Sequence, residues 1–310
     1  MGRPAVPSNQ RIGLLFGLGA YGTWGLFPAF FPLLKPAGAG EILAHRIVWT
    51  AVFMLGVLIV TRRLGDLRTM TARTWLLLAC ASVLISTNWV IYIYAVNNGH
   101  VVDAALGYFM TPLVSVLLGV LFFRERLNAA QAAAVGIALL AVLILGFQVG
   151  APPFIGLGLA LSFGVYGAVK KVVTCDPRVS VGVEAAVAAP FALAFIAVAE
   201  LSGGGTFTGN APWHIVLMLL CGPLTAIPLL LFGGAAHRLP MVTLGLLLYL
   251  TPAMQMTWGV LVGHEPMPLG RWIGFALIWV ALLIMTVGAL RRKSASVEAV
   301  DQAEPESSSR

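Results

Sequence analysis

The sequence has 310 residues, of which 59% are hydrophobic and 10% are charged, and its formal net charge is +7. Its mean hydropathy is +0.92. A chain with so few polar residues cannot cover a water-soluble surface, which excludes a soluble globular protein and indicates an integral membrane protein.

Apolar runs of about 20 residues follow one another along the chain, separated by short polar joints. Such runs predict helices, because the strands of a membrane barrel are about ten residues long and alternate in polarity. We therefore expect an all-α membrane protein with ten transmembrane helices. The predicted spans are residues 12–34, 41–61, 75–95, 101–123, 130–148, 154–172, 180–200, 213–235, 241–262 and 270–290.

Positive charge is distributed unevenly between alternate loops. Of the 19 lysines and arginines, all lie on one side except Lys35 and Arg271, which lie on the other, and Arg46, which lies within a span. The positive-inside rule then predicts cytoplasmic N- and C-termini, which requires an even number of spans. The expected cytoplasmic ends are a segment at 1–11 and a disordered tail at 291–310.

One long segment of the sequence occurs twice. ALGYFMTPLVSVLLGVLFFRE at 105–125 returns as GLLLYLTPAMQMTWGVLVGHE at 245–265, with a shared Thr-Pro pair, Gly-Val-Leu triplet and final Glu. A weaker echo links AYGTWGLFP at 20–28 with SFGVYGAVK at 162–170. Because each half holds five spans, an odd number, the second copy must cross the membrane upside down, as in many transporters. The predicted inverted repeats are residues 12–148 and 154–290.

Two pairs of repeated residues have more than one interpretation. Glu125 and Glu265 end corresponding helices, where they either stabilise a helix end or contact substrate. Pro112 and Pro252 are expected mid-helix, where a missing N–H group bends the helix. These kinks either shape a cavity or serve packing alone.

Three stretches carry a resemblance to a known family. They are EILAHRIVW at 41–49, NWVIYIYAVNNGHVVDAALGYFMTPLVSVLLG at 88–119 and GFALIWVALLI at 274–284. These closely resemble the RarD group of the EamA family, in the drug/metabolite transporter superfamily. The resemblance covers residues 12–290 and implies a ten-helix inner-membrane permease built from two five-helix EamA repeats. RarD proteins carry a chloramphenicol-sensitivity label, which is not a demonstrated substrate.

The expected function is secondary-active transport of a small organic molecule by alternating access, with a chloramphenicol-like or amino-acid-like cargo as examples. The alternative is a passive channel or facilitator. The sequence contains no nucleotide-binding, HExxH or GxSxG motif, and its three cysteines show no paired spacing. We therefore expect no enzyme, cofactor or metal. Expected partners are the substrate and the lipid bilayer, with a coupled proton and a homodimer left open, and no nucleic acid.

The second predicted helix holds the most informative polar residues. If it began after Arg46 it would be about 22 Å long, too short for a core of about 30 Å, so the preceding residues are drawn into the span. Glu41, His45 and Trp49 then share one stripe, and Arg46 lies about 100° round the helix. These four residues form the first candidate substrate site. In the alternative interpretation Glu41 and Arg46 form an interfacial ion pair and His45 only packs.

Weaker candidates lie on other helices. They can hydrogen-bond a substrate or line its path, although Asp103 suits a helix start equally well. Glu184 is the rough inverted counterpart of Glu41. These candidates are Asn88, Tyr92, Asp103, Tyr108, Glu184 and Gln255.

Overall fold

The computed structural model describes residues 8–123, 127–149, 153–236, 238–239 and 247–303, and the regular secondary structure in these ranges is helical. This confirms the all-helical prediction. The helices are α1 Ser8–Gly25, α2 Phe27–Phe30, α3 Ala39–Val60, α4 Asp66–Thr69, α5 Ala72–Asn97, α6 Val101–Phe123, α7 Ala129–Val149, α8 Phe154–Val172, α9 Pro177–Leu201, α10 Pro212–Ala236, α11 Leu250–Leu261 and α12 Leu269–Ala303, with a 3₁₀-helix at Phe31–Leu34.

Six of the described helices are long and apolar enough to cross a membrane, namely α3, α5, α6, α9, α10 and α12. A seventh span results if α1 is taken together with the bent segment that follows it, and α7 and α8 contain shorter apolar stretches. Each predicted apolar run overlaps a helix, which supports a multi-pass integral membrane protein. The total of ten spans stays a prediction.

The first predicted span is broken near its end. After Gly25 the chain bends by 41° into α2 and the 3₁₀-helix. Pro28 and Pro32 each lie in the first turn of these two short helices. Proline lacks a backbone N–H group, so it is tolerated at a helix start but interrupts a continuous helix. The break places Phe27 and Phe31 one turn apart, and both are buried.

Contacts divide the chain into two compact units. The first comprises residues 1–108 and 154–266, and the second comprises residues 109–153 and 267–310. In the first unit α3 packs on α9 and α10, α1 packs on α10 and α11, and α5 packs on α8 and α9. In the second unit α7 packs on α12. The predicted boundaries at 12–148 and 154–290 concern symmetry rather than compactness, and they stay a prediction.

Glycine allows close helix approach at two crossings of the first unit. A Cβ atom on Gly222 of α10 would lie 2.4 Å from the carbonyl carbon and oxygen of Trp49 in α3. A Cβ atom on Gly107 of α6 would lie 2.6 Å from the carbonyl oxygen of Gly156 in α8. No side chain fits at these distances. Gly222 therefore sets how near the polar residues of α3 come to α10, and Gly107 does the same for α6 and α8.

The joint before α9 carries a small charged cluster. Asp176 caps this helix, because its Oδ1 accepts from the backbone N–H of Arg178 at 2.8 Å. The Arg178 guanidinium also donates to Asp176, and the Arg63 guanidinium lies 3.6 Å from its Oδ2. The hydrogen bonds from Arg178 lower the pKa of Asp176, and the charge of Arg63 adds to this effect.

The C-terminal helix is longer than the predicted span. Helical geometry continues to Ala303, whereas the sequence predicts a span end at residue 290 and a disordered tail after it. The segment SASVEAVDQA contains neither Gly nor Pro, and the first proline of the tail is Pro305. Nothing in that segment therefore stops a helix.

Candidate functional site

Helix α3 carries the four residues of the first candidate site. It begins at Ala39, so Glu41, His45, Arg46 and Trp49 all lie within its first three turns. Glu41, His45 and Arg46 are buried. This confirms that the charged residues are drawn into the helix. The structure shows, however, that they serve two separate clusters on different faces of α3.

Arg46 occupies an aromatic cage. Its guanidinium carbon lies 4.0 Å from the ring centroid of Trp89, 5.1 Å from that of Phe27 and 5.7 Å from that of Phe31. Its Nε donates to the hydroxyl of Thr225 at 2.7 Å. Only 3% of the residue is exposed. We refer to Phe27, Phe31, Arg46, Trp89 and Thr225 as the arginine cage.

The chemistry of Thr225 explains the single polar contact in the cage. Its hydroxyl lies 2.8 Å from the carbonyl oxygen of Cys221, one turn earlier in α10, and donates to it. The same oxygen therefore has lone pairs left to accept from Arg46. The Nη1 group of Arg46 is buried and has no hydrogen-bond partner among the described residues.

Arg46 forms no ion pair within the described part of the chain. The interfacial Glu41–Arg46 pair, which was the alternative interpretation of the sequence, is therefore wrong. The two side chains leave α3 in different directions, because position 46 is one residue past the stripe of Glu41, His45 and Trp49.

Glu41 binds the loop between α9 and α10 instead. Its Oε1 accepts from the backbone N–H of Thr206 at 2.7 Å and from the Thr206 hydroxyl at 3.0 Å. The same hydroxyl lies 3.1 Å from Nε2 of His214. The carboxylate thus fixes one point of the loop on the start of α3.

His45 and Trp49 contact the next residue of the same loop. The ring of Phe207 packs on that of His45 with centroids 4.5 Å apart. The indole N–H of Trp49 donates to Nδ1 of His45 at 3.2 Å, which assigns the imidazole proton to Nε2. Glu200 holds the loop from its other side by accepting from the backbone N–H of Phe207 at 2.9 Å. His45 therefore supports the loop rather than the arginine cage.

Asn88 and Tyr108 form a connected polar group beneath the aromatic residues. The Asn88 amide donates to the Leu159 carbonyl and to the Ser162 hydroxyl, each at 3.0 Å, and its oxygen accepts from the Tyr108 hydroxyl at 3.0 Å. Both the nitrogen and the oxygen of the Asn88 amide are thus hydrogen-bonded to protein groups. Asn88 of α5 thereby connects α5 to α8, and its amide is already engaged by the protein rather than available to a substrate.

Tyr92 and Gln255 retain unused polar atoms. The Tyr92 ring packs on Phe31 of the cage and on Tyr108, at 5.9 and 5.6 Å between centroids. Its hydroxyl is buried, has no hydrogen-bond partner among the described residues, and lies close enough to interact with Gln255. The Gln255 amide nitrogen donates to the Trp24 carbonyl at 3.3 Å, while its oxygen has no partner among the described residues. Both side chains are buried.

Glu184 lies in a separate ion-pair cluster. Its Oε1 accepts from Nζ of Lys170 at 2.5 Å and from the Ser180 hydroxyl at 2.8 Å, and its Oε2 accepts from the Tyr166 hydroxyl at 3.0 Å. Lys170 also donates to Ser180. Glu184 is buried, whereas the Lys170 side chain is 26% exposed.

The remaining acidic candidates lie at the start of α6. Asp103 is in its first turn, with Oδ2 3.2 Å from Nδ1 of His100. Glu265 is 7% exposed, and its carboxylate accepts from the backbone N–H groups of Val101 at 2.6 Å and Val102 at 2.9 Å. Glu265 therefore caps the start of α6 rather than lying solvated at the end of its own helix. Glu125, its repeat counterpart, lies outside the described residues.

The two repeated prolines differ in their helical positions. Pro112 lies inside α6, as expected. Pro252 is the third residue of α11 and follows a turn at Tyr249, and since residues 240–246 lie outside the described ranges, its mid-helix position stays a prediction. In the first turn of a helix the missing N–H group costs nothing.

An apolar groove of about 430 Å³ lies between α3, α5 and α9. Leu43, Ile47, Val83, Phe191 and Phe195 are among its lining residues, and the large side chains of Val83, Phe191 and Phe195 are exposed. Such a face suits contact with lipid chains. The groove does not include Arg46, so the arginine cage remains the site with functional chemistry.

Sequence reasoning missed most partners of these residues. Thr206, Phe207 and His214 lie more than 150 positions from Glu41 and carry no local signal. Phe27 and Phe31 are a Phe-x-x-x-Phe pair, whose i, i+4 spacing marks a common face. Within the described residues no three acidic, His or Cys side chains form a metal-binding group.

Comparison with known proteins agrees with this fold. The model of the EamA-like transporter family matches residues 11–147. Protein RarD of Streptomyces exfoliatus is 47% identical over 300 residues, which cover 96% of this chain and 95% of that protein. The chain belongs to the RarD group of the EamA-like transporter family. It is therefore a membrane transporter of small molecules, in a family of transporters rather than of enzymes.

Two further similarities support the membership. An uncharacterised transporter of Bacillus subtilis, YojE, is 41% identical over 93% of this RarD-group chain and 98% of its own length. A solved crystal structure of a protein superposes with a TM-score of 0.59 at 19% identity, covering 90% of this chain and 98% of the other. At that identity the superposition shows the fold alone. The bacterial relatives agree with a multi-pass protein of the inner membrane.

Proposed function

We propose that this protein is a secondary-active permease that moves a small organic molecule by alternating access, and that Arg46 binds an anionic or acceptor group of the cargo. The observation that carries the proposal is a guanidinium with 3% exposure, no counter-ion and an unpaired Nη1 in the described part of the chain. Such a group is complementary to a carboxylate or another oxygen acceptor.

The energetics favour a binding role over a purely structural one. Burial of an ion costs several kcal/mol even after relaxation. Cation–π contacts return about 2 kcal/mol when desolvated, and a hydrogen bond to a charged group returns about 1.5–3 kcal/mol. The buried Nη1 is nevertheless left without a hydrogen-bond partner among the described residues, which costs about 1–3 kcal/mol, and an acceptor on an anionic ligand would supply that contact.

The surrounding side chains indicate the rest of the cargo. Trp89, Phe27 and Phe31 present rings suited to an apolar or aromatic body. Tyr92 and Gln255 add a hydroxyl and an amide oxygen with unused hydrogen-bonding capacity. An amino-acid-like or chloramphenicol-like molecule combines such an apolar part with polar groups.

Alternating access rests on the proposed inverted repeat. If the halves are counterparts, α1 corresponds to α8, α3 to α9 and α5 to α10. The packing is compatible with this exchange. The contact of α1 with α10 corresponds to that of α8 with α5, and the contact of α3 with α10 corresponds to that of α9 with α5. The contact of α3 with α9 corresponds to itself. Two inverted copies can exchange conformations around one site, which is how such transporters open to each side in turn.

Ligand binding by purified protein in proteoliposomes tests the role of Arg46. The probes are matched pairs of an aromatic carboxylate and its amide, such as phenylpropionate and phenylpropionamide. Arg46→Ala should weaken carboxylate binding by about tenfold or more and amide binding far less, because one charged contact is worth at least about 1.4 kcal/mol. Arg46→Lys should also bind the carboxylate less well, since an ammonium cannot reproduce the planar fork.

Arg238 supplies the matched control. It also stacks on an aromatic ring, that of Phe16 at 5.3 Å, but its Nη1 donates to the Gly234 carbonyl at 2.8 Å. Arg238→Lys should leave carboxylate binding unchanged. Equal binding of both probes by wild type and Arg46→Ala would refute the site. Saturable counterflow supports the carrier, whereas ohmic single-channel currents would favour the passive channel.

A further inference from the structure

The Lys170–Glu184 pair has no part in the arginine cage and needs its own explanation. Lys170 ends α8 and Glu184 lies two turns into α9, and 2.5 Å separates Nζ from Oε1. The pair connects helices with different neighbours, because α8 packs on α5 whereas α9 packs on α3, α5 and α10. A movement of the end of α8 would therefore separate the two charges.

Lys170 is the charged partner of Glu184, and the other groups that hydrogen-bond to Glu184 are neutral. Tyr166 and Ser180 donate neutral hydroxyl hydrogen bonds, and the Ser82 hydroxyl of α5 donates to the backbone carbonyl of Glu184 at 2.6 Å. The thiol of Cys175 lies within electrostatic range of both charges. On α3, Leu58 and Met54 face this part of α9 at Gly182, and they are apolar.

A carboxylate in such surroundings has two stable forms. It is either ionised and paired with a cation or neutral with a bound proton, because an unpaired buried charge is strongly unfavourable. Lys170 is positioned to leave, since its side chain is partly exposed, while Glu184 stays buried. Loss of the lysine contact therefore drives one proton from water onto the carboxylate.

We infer that Glu184 is a proton-binding site, occupied when Lys170 moves away, and that it couples transport to proton movement. The step is balanced: the ion pair opens, one H⁺ from water forms an O–H bond on Glu184, and Lys170 keeps its positive charge in solvent. Re-formation of the pair releases the proton. The coupling rests on the proposed alternating access, whereas proton binding at Glu184 does not require a known cargo.

Infrared difference spectroscopy of the reconstituted full-length protein tests the site without a substrate. In Lys170→Met the carboxylate has lost its cation, so a protonated-carboxyl band should appear at neutral pH. This band should be absent from wild type and from the double variant Lys170→Met with Glu184→Gln. Glu200→Gln, a carboxylate loss on the same helix, should leave the band of Lys170→Met in place. A Lys170→Met spectrum identical to that of wild type would overturn the inference.

The double variant also controls for folding, because both charges of the pair are removed together and no unpaired ion remains. Transport gives the second readout. Under an imposed pH gradient, wild-type proteoliposomes should take up phenylpropionate faster than protein-free liposomes, in which the neutral acid crosses the bilayer unaided; Glu184→Gln should lose this added rate, and Glu200→Gln should retain it. If phenylpropionate is not carried at all, the proposed function fails while the infrared result still decides the proton site.

Discussion

Replacement of Glu265, an acidic residue that recurs in both halves, tests whether it stabilises the fold or binds the cargo. Its carboxylate accepts two backbone N–H groups, those of Val101 and Val102, at the positive end of the α6 dipole. Glu265→Ala leaves both donors in a buried site without this partner. Glu265→Gln keeps a carbonyl oxygen that accepts one of them.

The size of the effect follows from these contacts. A hydrogen bond to a charged group contributes about 1.5–3 kcal/mol, and the two bonds share one carboxylate, so Glu265→Ala should cost about 3–4 kcal/mol. Glu265→Gln should cost about half of that. At roughly 2 °C per kcal/mol for a large chain, the melting temperature should fall by about 6–8 °C for the alanine variant and about 3–4 °C for glutamine.

Thermal unfolding in detergent can be followed with a thiol-reactive dye, because Cys221 is buried and becomes accessible on unfolding. Asp66→Ala is the control, since it removes a carboxylate whose ion pair with Arg63 is exposed and contributes little. Unchanged melting of Glu265→Ala together with weaker carboxylate binding would show that Glu265 serves the cargo.

Three further outcomes are expected. Gly222→Ala should cost about 3 kcal/mol or prevent folding, because its methyl group meets the backbone of α3. Gly233→Ala on the same helix places its methyl group in open space and should be neutral or slightly stabilising. Expression level and melting temperature compare the two variants. Asp176→Ala should cost about 1 kcal/mol at neutral pH through the lost cap. Hydrogen bonds from the arginine two residues on lower the folded pKa of Asp176. Its contribution is therefore complete above the unfolded pKa of about 3.9 and is lost as the pH falls from there through the folded pKa, so the stabilities of wild type and variant should converge in acid. A thiol placed in residues 62–73 should be labelled only from the cytoplasmic side, and periplasmic labelling would contradict the predicted topology.

The sequence was most informative about the positions of helices and least informative about which distant residues contact each other. Hydropathy located the helices, and the length required of a span predicted that Arg46 lies inside α3. The break at Leu26 escaped the prediction, because hydropathy stays high through Phe27 and Leu34 while the prolines interrupt the helix. The arginine cage depends on that break, since it positions two of the three rings.

The separation of Glu41 from Arg46 could not be derived from their spacing. Helical geometry shows that the side chains diverge by about 140°, since they are five residues apart, but not which neighbour each one finds. Thr206 comes from a loop 165 residues away, and Thr225 from a helix 179 residues away. Long-range contacts of this kind depend on how whole helices pack, which a single sequence does not specify locally.

Under the proposed inverted repeat, Arg46 and Glu184 acquire a common explanation. Each is the eighth residue of its helix, α3 beginning at Ala39 and α9 at Pro177. Arg46 contacts Phe27 and Phe31, and Glu184 contacts Tyr166 and Lys170; each pair is spaced i, i+4 at the end of the preceding membrane helix. Each also contacts a hydroxyl of a helix in the other half, that of Thr225 for Arg46 and that of Ser82 for Glu184. The two positions differ in charge balance: Glu184 is paired with Lys170, whereas the contacts of Arg46 within the described ranges are aromatic rings and a hydroxyl. A balanced pair can open and close with a proton as the sole exchanged ion, while an unbalanced cation attracts an anion from outside the protein. Corresponding helices of the two halves would in this way have different roles, with cargo binding at α3 and proton exchange at α9.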